Sequence, residues 1–388
     1  MPQRSIVLLG STGSIGRSTL EVIKQHPGQF DVSALAAFTS VDLLVQQSLQ
    51  FRPEYVCIVD PSKREALSER LKGQSIKVVA GEEALIELAS LADADIIVNA
   101  VVGAAGLKAS LSAVKAGKRL ALANKESLVT GGPLFPTLLK KHGAAILPID
   151  SEHSAIWQVL ASGRQNELKR IVVTASGGPF RDYPLDRFSE ITLEQALNHP
   201  TWKMGHKITI DSATMANKGL EVIEAVTLFQ VPVEKVSVVI HPQSIVHSMV
   251  EFVDSSMIAQ LSKPDMRLPI TYALFWPDRV TSDFGRLDLE KLGPLTFEPP
   301  DYERFPALSL AFEVAKTGGT APAVFNAANE VAVDAFLNKT VKFTQIPEII
   351  QKTIDKINIV SDPNLDDILD ADRKARELAV KSTGTEVC

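Results

Sequence analysis

The sequence predicts an α/β protein with an N-terminal Rossmann-type doubly wound parallel sheet, a central α+β domain and a C-terminal helical bundle. Three observations predict this fold class. Short apolar segments alternate with amphipathic segments as far as Asp150, apolar segments joined by tight turns follow, and apolar residues recur with helical spacing after residue 307. Alternating strands and helices are typical of βαβ units on a parallel sheet, whereas strands joined by tight turns are typical of an antiparallel or mixed sheet.

Residues 1–150 are predicted to form the parallel sheet. Residues 5–9 (SIVLL) are short and apolar and run into a glycine-rich turn, as a buried parallel strand does. An amphipathic segment follows and ends at Pro27 and Gly28. The same rhythm then repeats, with further strands predicted at residues 31–38, 55–60, 76–81, 94–101, 119–124 and 144–150.

The rest of the chain is predicted to form two further domains and a connection. Residues 151–284 form the central domain, with strands within 167–176 and 235–261 and a hairpin around Asp254, Ser255 and Ser256. Residues 285–306 are rich in proline, glycine and charge, which predicts a linker. Residues 307–388 keep a helical pattern to the end, which predicts a small helical bundle.

Composition limits the classes of function. The chain has 388 residues, of which 45% are hydrophobic and 22% charged, with a formal net charge of -6. No cluster of lysine and arginine is dense enough to follow a phosphate backbone, so we expect no nucleic-acid partner. No apolar segment has bilayer-spanning length, and the N-terminal apolar run is too short for a secretory signal, so we expect no membrane association. Cys57 and Cys388 are far apart in sequence and are expected to be free thiols of a cytoplasmic protein.

The first turn has the pattern of a dinucleotide-binding site. Gly10, Gly13 and Gly16 follow a predicted strand and open a predicted helix, so the backbone could approach a pyrophosphate at the helix N-terminus. The alternative is a tight βα turn with no ligand. The second strand ends at Thr39 and Ser40 without the acidic residue that binds the ribose of NAD, which favours NADP.

Two acidic residues end the first domain. Asp150 and Glu152 are predicted to lie in extended chain at the carboxyl edge of the sheet, where residues two apart point the same way. Carboxylates that face each other repel unless a cation lies between them, and oxygen ligands favour Mg²⁺ or Mn²⁺. The alternative is a helix N-cap beside a solvated acid.

A second polar group is predicted on one helix. Asn217 and Lys218 precede Glu221 by four and three residues, so all three can share a helical face, with Ser212 near the start of a helix. An amide, a cation and an acid on one face would suit a phosphate beside a metal; the alternative is a surface Lys218–Glu221 ion pair. Ser176, in a glycine-rich loop after a strand, could also hold phosphate.

Residues 198–207 have the composition of a lid over a small polar ligand. His199 comes directly before Pro200, and Trp202 and Met204 lie between that proline and Gly205. The alternative is a loop anchored by a buried tryptophan. The histidines of the predicted strand region, at 241 and 247, are expected to be buried and structural.

These segments together resemble the family of 1-deoxy-D-xylulose 5-phosphate reductoisomerases along essentially the whole chain. The matching segments are GSTGSIG (10–16), ANKESLV (123–129), DSEHSAIW (150–157), SGGPF (176–180), HPTWKMG (199–205), DSATMANKGLE (211–221), HPQSIVHSMV (241–250) and FNAANE (325–330). The resemblance implies an NADPH domain, a central catalytic and dimerisation domain with a flexible lid, and a helical C-terminal domain. It also implies a cytoplasmic homodimer that converts a small phosphorylated keto-sugar, 1-deoxy-D-xylulose 5-phosphate, into 2-C-methyl-D-erythritol 4-phosphate, a step of the non-mevalonate route to isoprenoids.

The resemblance also implies residue roles, and with the patterns above it gives the following expected sites. The metal ligands, for Mg²⁺ or Mn²⁺, are Asp150, Glu152 and Glu221, and the catalytic residues are Glu152, Lys125 and His199. The substrate contacts are Lys125, Ser151, Glu152, Ser176, His199, Trp202, Met204, Ser212, Asn217, Lys218 and Glu221. The NADPH contacts are Gly10, Thr12, Gly13, Ser14, Ile15, Thr39, Ser40, Asn124, Glu126 and Gly205. Many relatives carry a lysine in the turn after the second strand where this chain has Phe38, Thr39 and Ser40, which leaves the strictness of the NADPH preference open.

The expected chemistry is a retro-aldol and aldol rearrangement to a branched aldehyde, followed by hydride transfer from NADPH. Two alternatives stay open. A metal-free semialdehyde dehydrogenase has a similar glycine turn but needs a thiolate nucleophile, and neither Cys57 nor Cys388 is well placed in the sequence to serve. A catalytically silent NADP-binding regulator would account for the first domain but not for the acid, amide and lysine group.

Overall fold

The computed structural model describes residues 3–202 and 204–384, so Cys388 lies outside the described residues. The chain divides into two compact units. Unit 1 comprises the chain up to Ser127, Phe135–Ser154 and Asp265–Phe284, and unit 2 comprises Leu128–Leu134, Ala155–Pro264 and the chain from Gly285 on. The domain boundaries after residues 150, 284 and 306 stay predictions.

Unit 1 contains a parallel sheet of short buried strands. The strands are β1 Arg4–Leu9, β2 Phe30–Ala37, β3 Tyr55–Ile58, β4 Lys77–Ala80, β5 Ile96–Asn99, β6 Arg119–Leu122 and β7 Ala145–Pro148. Their order is β4-β3-β2-β1-β5-β6-β7, and every neighbouring pair is parallel. The order reverses at β1, which lies between β2 and β5, as in a doubly wound sheet. The fold class predicted for this part of the chain is confirmed.

The first half of the chain supplies the helices that connect these strands. They are α1 Ser14–Gln25, α2 Val41–Phe51, α3 Arg64–Arg70, α4 Glu82–Leu88, α5 Leu107–Lys115, α6 Lys125–Gly131 and α7 Phe135–His142; α8 Ser151–Leu160 follows the last of these strands. The central strands are apolar throughout because both faces of the sheet are covered; residues 6–9 of β1 are fully buried. Burying each such aliphatic side chain contributes about 1.5–3 kcal/mol.

Unit 2 contains a mixed sheet. Its strands are β8 Leu168–Ala175, β9 Val236–Ile240, β10 Val246–Phe252 and β11 Met257–Leu261, in the order β11-β10-β8-β9. Strands β8 and β9 are parallel, and the other pairs are antiparallel. The predicted hairpin joins β10 to β11: Ser255 has a φ of 69°, and Asp254 Oδ1 accepts a hydrogen bond from the Ser256 amide at 2.9 Å. Strand β11 therefore lies at one edge of this sheet.

The second half of the chain is largely helical. The helices are α9 Leu193–Ala196, α10 His206–Ala213, α11 Ala216–Phe229, α12 Arg267–Phe275, α13 Pro306–Thr317, α14 Ala321–Leu337, α15 Gln345–Ile354 and α16 Leu365–Ser382. The last four are the predicted C-terminal bundle, and α14 is the most buried of them because small and apolar residues cover all its faces. Among the described residues, no helix combines the length and the apolar character needed to cross a bilayer.

Helix α12 packs within unit 1, against the first βα unit. The Arg4 guanidinium donates to the carbonyl of Leu274 at 2.7 Å, and the Phe275 ring lies 4.7 Å from that of His26 and 4.9 Å from that of Phe30. From the sequence, the residues of α12 fall within the predicted central domain, with no element predicted for them. In the structure they pack on residues of β1 and β2 and on the end of α1.

The segment predicted as a linker, residues 285–306, is part of unit 2 and pairs with β9. Glu298 exchanges two backbone hydrogen bonds with Ile240, at 2.8 and 2.9 Å, and the Phe297 ring stacks on His241 at 4.7 Å. His241 is fixed in one neutral tautomer: its Nδ1–H donates to the carbonyl of Thr296, and its Nε2 accepts from two backbone amides. As predicted, this histidine is buried and structural.

Candidate active site

The glycine-rich turn lies where the order of the parallel sheet reverses. Gly10 has a φ of +83°, and a Cβ there would come within 2.5 Å of the carbonyl oxygen of Ala100, after β5. A Cβ on Gly16 would lie 2.3 Å from the carbonyl oxygen of Gly10. At Gly13 the nearest atom would be 3.4 Å away, so the fold itself does not require glycine at that position. The turn therefore has one exposed glycine at the N-cap of α1, where a ligand could approach the backbone.

Helix α2 holds this turn in place. The Ser11 hydroxyl donates to Gln47 Oε1 at 2.7 Å, and Gln47 Nε2 donates to the carbonyl of Ser11 at 2.9 Å. Both side chains are buried. Gln47 is not among the residues predicted from the sequence. The sequence signal that could have indicated it is a glutamine on the apolar face of an amphipathic helix.

The expected NADPH residues of the first two βα turns lie at this carboxyl edge. Thr12 is half-buried and Ser14 exposed in the turn, and Ile15 is in the first helical residues of α1. Thr39 and Ser40 follow β2, and Ser40 is the N-cap of α2 without a side-chain capping bond. Phe38 beside them is 69% exposed, a large apolar surface at the end of a strand. Hydroxyls without capping bonds and an exposed ring leave this corner open to a ligand.

Asn124 fixes the connection that follows β6. Its amide nitrogen donates to the carbonyls of Val101 and Gly103, both at 2.8 Å, and to Glu126 Oε2 at 3.1 Å. Its Oδ1 accepts from the amide of Ser127 at 2.9 Å, which caps α6. Asn124 thus joins the loops after β5 and β6 and positions the side chain of Glu126. Asn124 and Glu126 are both expected NADPH contacts.

Asn99 anchors the loop after β5. Its amide nitrogen donates to the carbonyl of Gly106 at 3.0 Å and to the Ser110 hydroxyl at 2.7 Å, and its Oδ1 accepts from the amide of Val101. Asn99 is not among the residues predicted from the sequence. An amide at the end of a buried strand was the signal for a loop anchor.

The first pair of acidic residues, Asp150 and Glu152, lies at the N-terminus of helix α8. Strand β7 ends at Pro148 and α8 begins at Ser151, so the expectation of extended chain across Asp150 and Glu152 is wrong. Asp150 Oδ1 instead accepts from the amides of Glu152 and His153, both at 3.0 Å, which is N-cap geometry. The two carboxylates still offer oxygens within 4.8 Å of each other.

Asp150 combines this capping role with a second contact. Its Oδ2 lies 3.4 Å from Lys125 Nζ, at the start of α6, and both side chains are largely buried. The Ser151 hydroxyl donates to Glu152 Oε2 at 2.5 Å. Capping uses one oxygen of Asp150, so the N-cap alternative and a ligand role are compatible. Unit 1 thus places Lys125, Ser151 and the two acids side by side.

In unit 2, Ser176 and His199 form a hydrogen-bonded pair. His199 Nδ1 accepts from the amides of Thr201 and Trp202, at 3.1 and 2.9 Å, so the ring proton is on Nε2. Nε2–H donates to Ser176 Oγ at 3.1 Å, and burial lowers the pKa of His199. Ser176 Oγ also accepts from the amide of Gly178 at 3.3 Å. Because its acceptor positions are used, the Ser176 hydroxyl can direct its own proton to an anion.

The lid residues lie close to this pair in the chain. Trp202 and Met204 are half-buried, and the Trp202 ring lies 6.4 Å from that of His247, which is buried as predicted. Gly205 is the exposed N-cap of α10. A Cβ on Gly178 would lie 2.7 Å from the carbonyl oxygen of Ser212, so the Ser176 loop packs directly on the backbone of Ser212.

The second polar group occupies one face of α11, as predicted. Asn217 Nδ2 donates to Glu221 Oε1 at 2.5 Å, and Lys218 Nζ forms an ion pair with Glu221 Oε2. Glu221 is 1% exposed and Lys218 is buried as well, so the alternative of a surface ion pair is wrong. Burying two charges is costly, and such pairs are weak contributors to stability. Their burial is therefore better explained by a ligand than by folding.

Cys57 is not a nucleophile in this fold. It lies in the centre of β3, it is a free thiol with no exposed surface, and burial raises its pKa to about 12. A thiol with that pKa is almost entirely protonated at neutral pH. The metal-free semialdehyde dehydrogenase therefore has no thiolate in the described residues.

Known families match nearly the whole chain. The family described as 1-deoxy-D-xylulose 5-phosphate reductoisomerase matches residues 6–132. The C-terminal domain of that enzyme matches residues 146–229, and a further C-terminal domain of DXP reductoisomerase matches residues 261–378.

Curated relatives and solved structures that are similar to this chain belong to the same family. A 1-deoxy-D-xylulose 5-phosphate reductoisomerase of Pelodictyon phaeoclathratiforme is 54% identical over 97% of this chain and 99% of its own. That of Chlorobaculum tepidum is 52% identical over 98% and 100%. The Zymomonas mobilis enzyme in complex with NADPH superposes with a TM-score of 0.93 at 46% identity, covering 99% and 100% of the two chains. A DOX-P reductoisomerase in complex with NADPH, fosmidomycin and magnesium has a TM-score of 0.94 at 42% identity, with 98% of each chain covered.

Proposed function

The chain belongs to the family of 1-deoxy-D-xylulose 5-phosphate reductoisomerases, and on that premise we propose how its own residues divide the reaction. The reaction is the NADPH- and divalent-metal-dependent rearrangement and reduction of 1-deoxy-D-xylulose 5-phosphate to 2-C-methyl-D-erythritol 4-phosphate, in the non-mevalonate route to isoprenoid precursors. Three groups of residues have to act: one for the cofactor, one for a metal and one for the phosphate end of the substrate.

NADPH is bound at the carboxyl edge of the unit 1 sheet. The amides at the start of α1 receive the pyrophosphate, with Gly13 as the point of closest approach, and Thr12, Ser14 and Ile15 line it. The Thr39 and Ser40 hydroxyls and the N-terminus of α2 receive the 2′-phosphate. Asn124 and Glu126, in the connection after β6, line the cofactor as well, and Gly205 is a further expected contact. The cofactor supplies a hydride, and the protein supplies its orientation.

A divalent cation is held by Asp150, Glu152 and Glu221. The donor set consists of carboxylate oxygens, with two half-buried acids and one buried acid, which fits Mg²⁺ or Mn²⁺ and not a thiolate-seeking metal. When bound, such a cation polarises a carbonyl oxygen and offsets negative charge as a carbon–carbon bond breaks and reforms. Lys125, with its ammonium 3.4 Å from Asp150, adds a second positive charge beside the substrate oxygens. Glu152, held by the Ser151 hydroxyl, moves protons.

The phosphate end is bound by unit 2. The Ser176 hydroxyl donates to it, together with Ser212, Asn217 and Lys218. His199 joins them when its Nε2–H turns from Ser176 Oγ to the phosphate. Trp202 and Met204 cover the substrate. A firm hold on the non-reacting phosphate orients the small reacting end.

The observation that carries the proposal is the burial of Glu221 beside Lys218 and Asn217. A silent NADP-binding regulator requires the glycine-rich turn but gives no reason to bury an acid, a lysine and an amide on one face of α11. A metal next to a phosphate requires all three.

The direct test follows the absorbance of the reduced cofactor. Metal-stripped protein is mixed with NADPH and 1-deoxy-D-xylulose 5-phosphate, and Mg²⁺ or Mn²⁺ is then added. Oxidation of NADPH is expected only after the metal, because the carboxylates alone cannot polarise the carbonyl. Turnover without metal would remove the proposed role of the three acids, and no turnover with metal would favour the silent regulator.

The substitution Glu221→Gln tests the role of α11. It keeps the shape of the side chain and removes its charge, so we expect loss of most activity and weaker Mn²⁺ binding, with the Kd of NADPH nearly unchanged. Glu348→Gln is the matched control, because Glu348 forms an exposed pair with Lys352 on α15 at 3.6 Å. A large loss of NADPH binding in Glu221→Gln would mean that α11 serves the cofactor.

The proposal includes a homodimer in the cytoplasm. A dimer is supported by β11, an edge strand with exposed apolar side chains at Met257, Ile258 and Leu261. A cytoplasmic location is supported by Cys57, a buried free thiol of the kind found in reducing compartments.

A further inference from the structure

We infer that Asp211 and Asn329 form a positioning pair that fixes the rotation of α10 and, through it, the place of the Ser212 hydroxyl. The inference rests on the proposed role of Ser212 in binding the substrate phosphate. Asn329 lies in FNAANE, residues 325–330, one of the segments that carry the family resemblance, yet the proposed reaction uses no residue of it.

The pair is a buried contact between α10 and α14. Asp211 is buried, and its Oδ1 accepts a hydrogen bond from Asn329 Nδ2 at 2.8 Å. Its Oδ2 lies 3.0 Å from Lys207 Nζ, one turn earlier on α10. A carboxylate can only accept, so the amide nitrogen of Asn329 has to face it, and the orientation of that side chain is fixed.

Helix stability does not explain this arrangement. Lys207 places a cation in the first turn of α10, where the helix dipole disfavours it, and the order of lysine before acid is the weaker one at this spacing. Asn329 Oδ1 is buried and has no hydrogen-bond partner among the described residues, which is a cost in stability. A residue kept only to fill space would not carry that cost, so the amide is there to hold Asp211.

The contact controls Ser212 because that residue is next in the chain and its surroundings are stiff. The Thr214 hydroxyl donates to the carbonyl of Ile210 and accepts from the amide of Ala216, and Met215 adopts a φ of 61°, which fixes the turn into α11. On the other side, Gly178 packs on the carbonyl of Ser212. These contacts fix the C-terminal end of α10. Rotation of the rest of the helix about its axis would displace the Ser212 hydroxyl, and the contact between Asp211 and Asn329 resists that rotation.

The test uses Asn329→Ala, Asp211→Asn and the exchange D211N/N329D in the full-length protein. Each is assayed with the phosphorylated keto-sugar for its substrate KM and its kcat, for the Kd of NADPH and, by calorimetry, for the Kd of inorganic phosphate. The control is Asn338→Ala, which removes an exposed asparagine–aspartate contact, to Asp334 at 3.2 Å, near the end of the same helix.

Asn329→Ala and Asp211→Asn are expected to raise the substrate KM and the Kd of inorganic phosphate about tenfold, because a displacement of about 1 Å at a binding group can cost up to about 100-fold. The Kd of NADPH should stay within about twofold, as should every value of the control. The exchange restores an amide facing a carboxylate and should return the substrate KM to within about threefold of the parent.

A role confined to stability would lower the folded fraction, and therefore the apparent kcat, while the KM of the folded enzyme stayed the same. That result, an equal effect of Asn338→Ala, or an exchange that restores nothing would overturn the inference. If Asn329→Ala fails to fold, Asp211→Asn, which keeps the packing, gives the same reading. If the parent turns over no substrate, the proposed function fails, and the Kd of inorganic phosphate still decides the inference.

Discussion

At the scale of single residues, the three glycines of the first turn have different reasons to be glycine. Gly10 and Gly16 face backbone atoms at distances that no Cβ could occupy, whereas a Cβ on Gly13 would make only an ordinary van der Waals contact, 3.4 Å from the carbonyl oxygen of Gly10. The fold requires the first two, and the third is left for the ligand. This division separates stability from cofactor binding within one motif.

We therefore expect Gly13→Ala to fold and to bind NADPH poorly. Its cost in stability should be no more than about 1 kcal/mol, as for alanine at an N-cap. The added methyl group lies where the pyrophosphate approaches, so the Kd of NADPH, measured by fluorescence, should rise about tenfold, or about 1.4 kcal/mol. Gly10→Ala is the comparison: left-handed backbone alone costs about 1–2 kcal/mol there, and thermal unfolding should show it. Unchanged NADPH affinity in Gly13→Ala would place the pyrophosphate elsewhere.

His199 makes substrate binding depend on pH. Its pKa is lowered by burial from an ordinary value of 6.5, and its Nδ1 already accepts two backbone amides. The neutral form is therefore the one that stabilises the lid turn. That stabilisation is complete at pH values above the ordinary pKa. It is lost as the pH falls through the lowered pKa, because a proton on Nδ1 then displaces both amides.

We expect the substrate KM to rise as the pH falls below the ordinary histidine pKa of 6.5 and through the lowered pKa of His199, with a smaller rise in His199→Asn. The asparagine oxygen can accept the same two amides and does not titrate. The comparison is needed because the substrate phosphate gains a proton near pH 6 as well. Identical pH profiles for the two proteins would assign the whole effect to the phosphate.

At the scale of elements, the sequence predicts what local pattern encodes and misses what distant contacts decide. The alternation up to Asp150 predicts the parallel sheet because strands covered on both faces are apolar throughout. The hairpin at Asp254 to Ser256 is predicted by its turn residues. No local pattern places α12 against β1 and β2, because Arg4 and Leu274, which are in contact, are 270 residues apart.

The site shows the same limits. The glycine turn and the face of α11 have spacings that sequence can count, and both were predicted. Gln47 and Asn99 were missed because a polar residue in an apolar segment has no assigned purpose until its partner is known. Asp150 and Glu152 were predicted together for a wrong reason: a helix N-cap, not extended chain, joins them.

The start of α16 gives a prediction about stability alone. Asn364 accepts from the amides of Asp366 and Asp367, and Asp367 reaches back to the amide of Asn364. Asn364→Ala should therefore cost about 1 kcal/mol, or about 2–4 °C in Tm, with KM and kcat unchanged. Asn364→Ser keeps a capping oxygen and should recover most of the loss. A change of KM in Asn364→Ala would mean that this helix end influences the active site, which would contradict a role in stability alone.

At the scale of the whole molecule, the mixed sheet of unit 2 has an incomplete edge. Strand β11 pairs with β10 on one side, and Met257 is 47% exposed while Ile258 and Leu261 are each 38% exposed. Monomeric proteins protect such edges with charges or prolines, and the residues of β11, MIAQL, include neither. In the proposed homodimer, a second copy of this chain covers the β11 edge.

Ile258→Lys tests this assignment. A charge placed in an apolar contact must be desolvated without a partner. At micromolar concentration we therefore expect the variant to have monomer mass in light scattering and the parent to have dimer mass. Leu289→Lys is the matched control, because Leu289 is 69% exposed and lies outside the sheet, and its mass should equal that of the parent. A parent of monomer mass, or a dimer that survives Ile258→Lys, would remove β11 from the interface. The Kd of NADPH should be the same in all three proteins, because none of the proposed NADPH contacts lies on β11 or at Leu289.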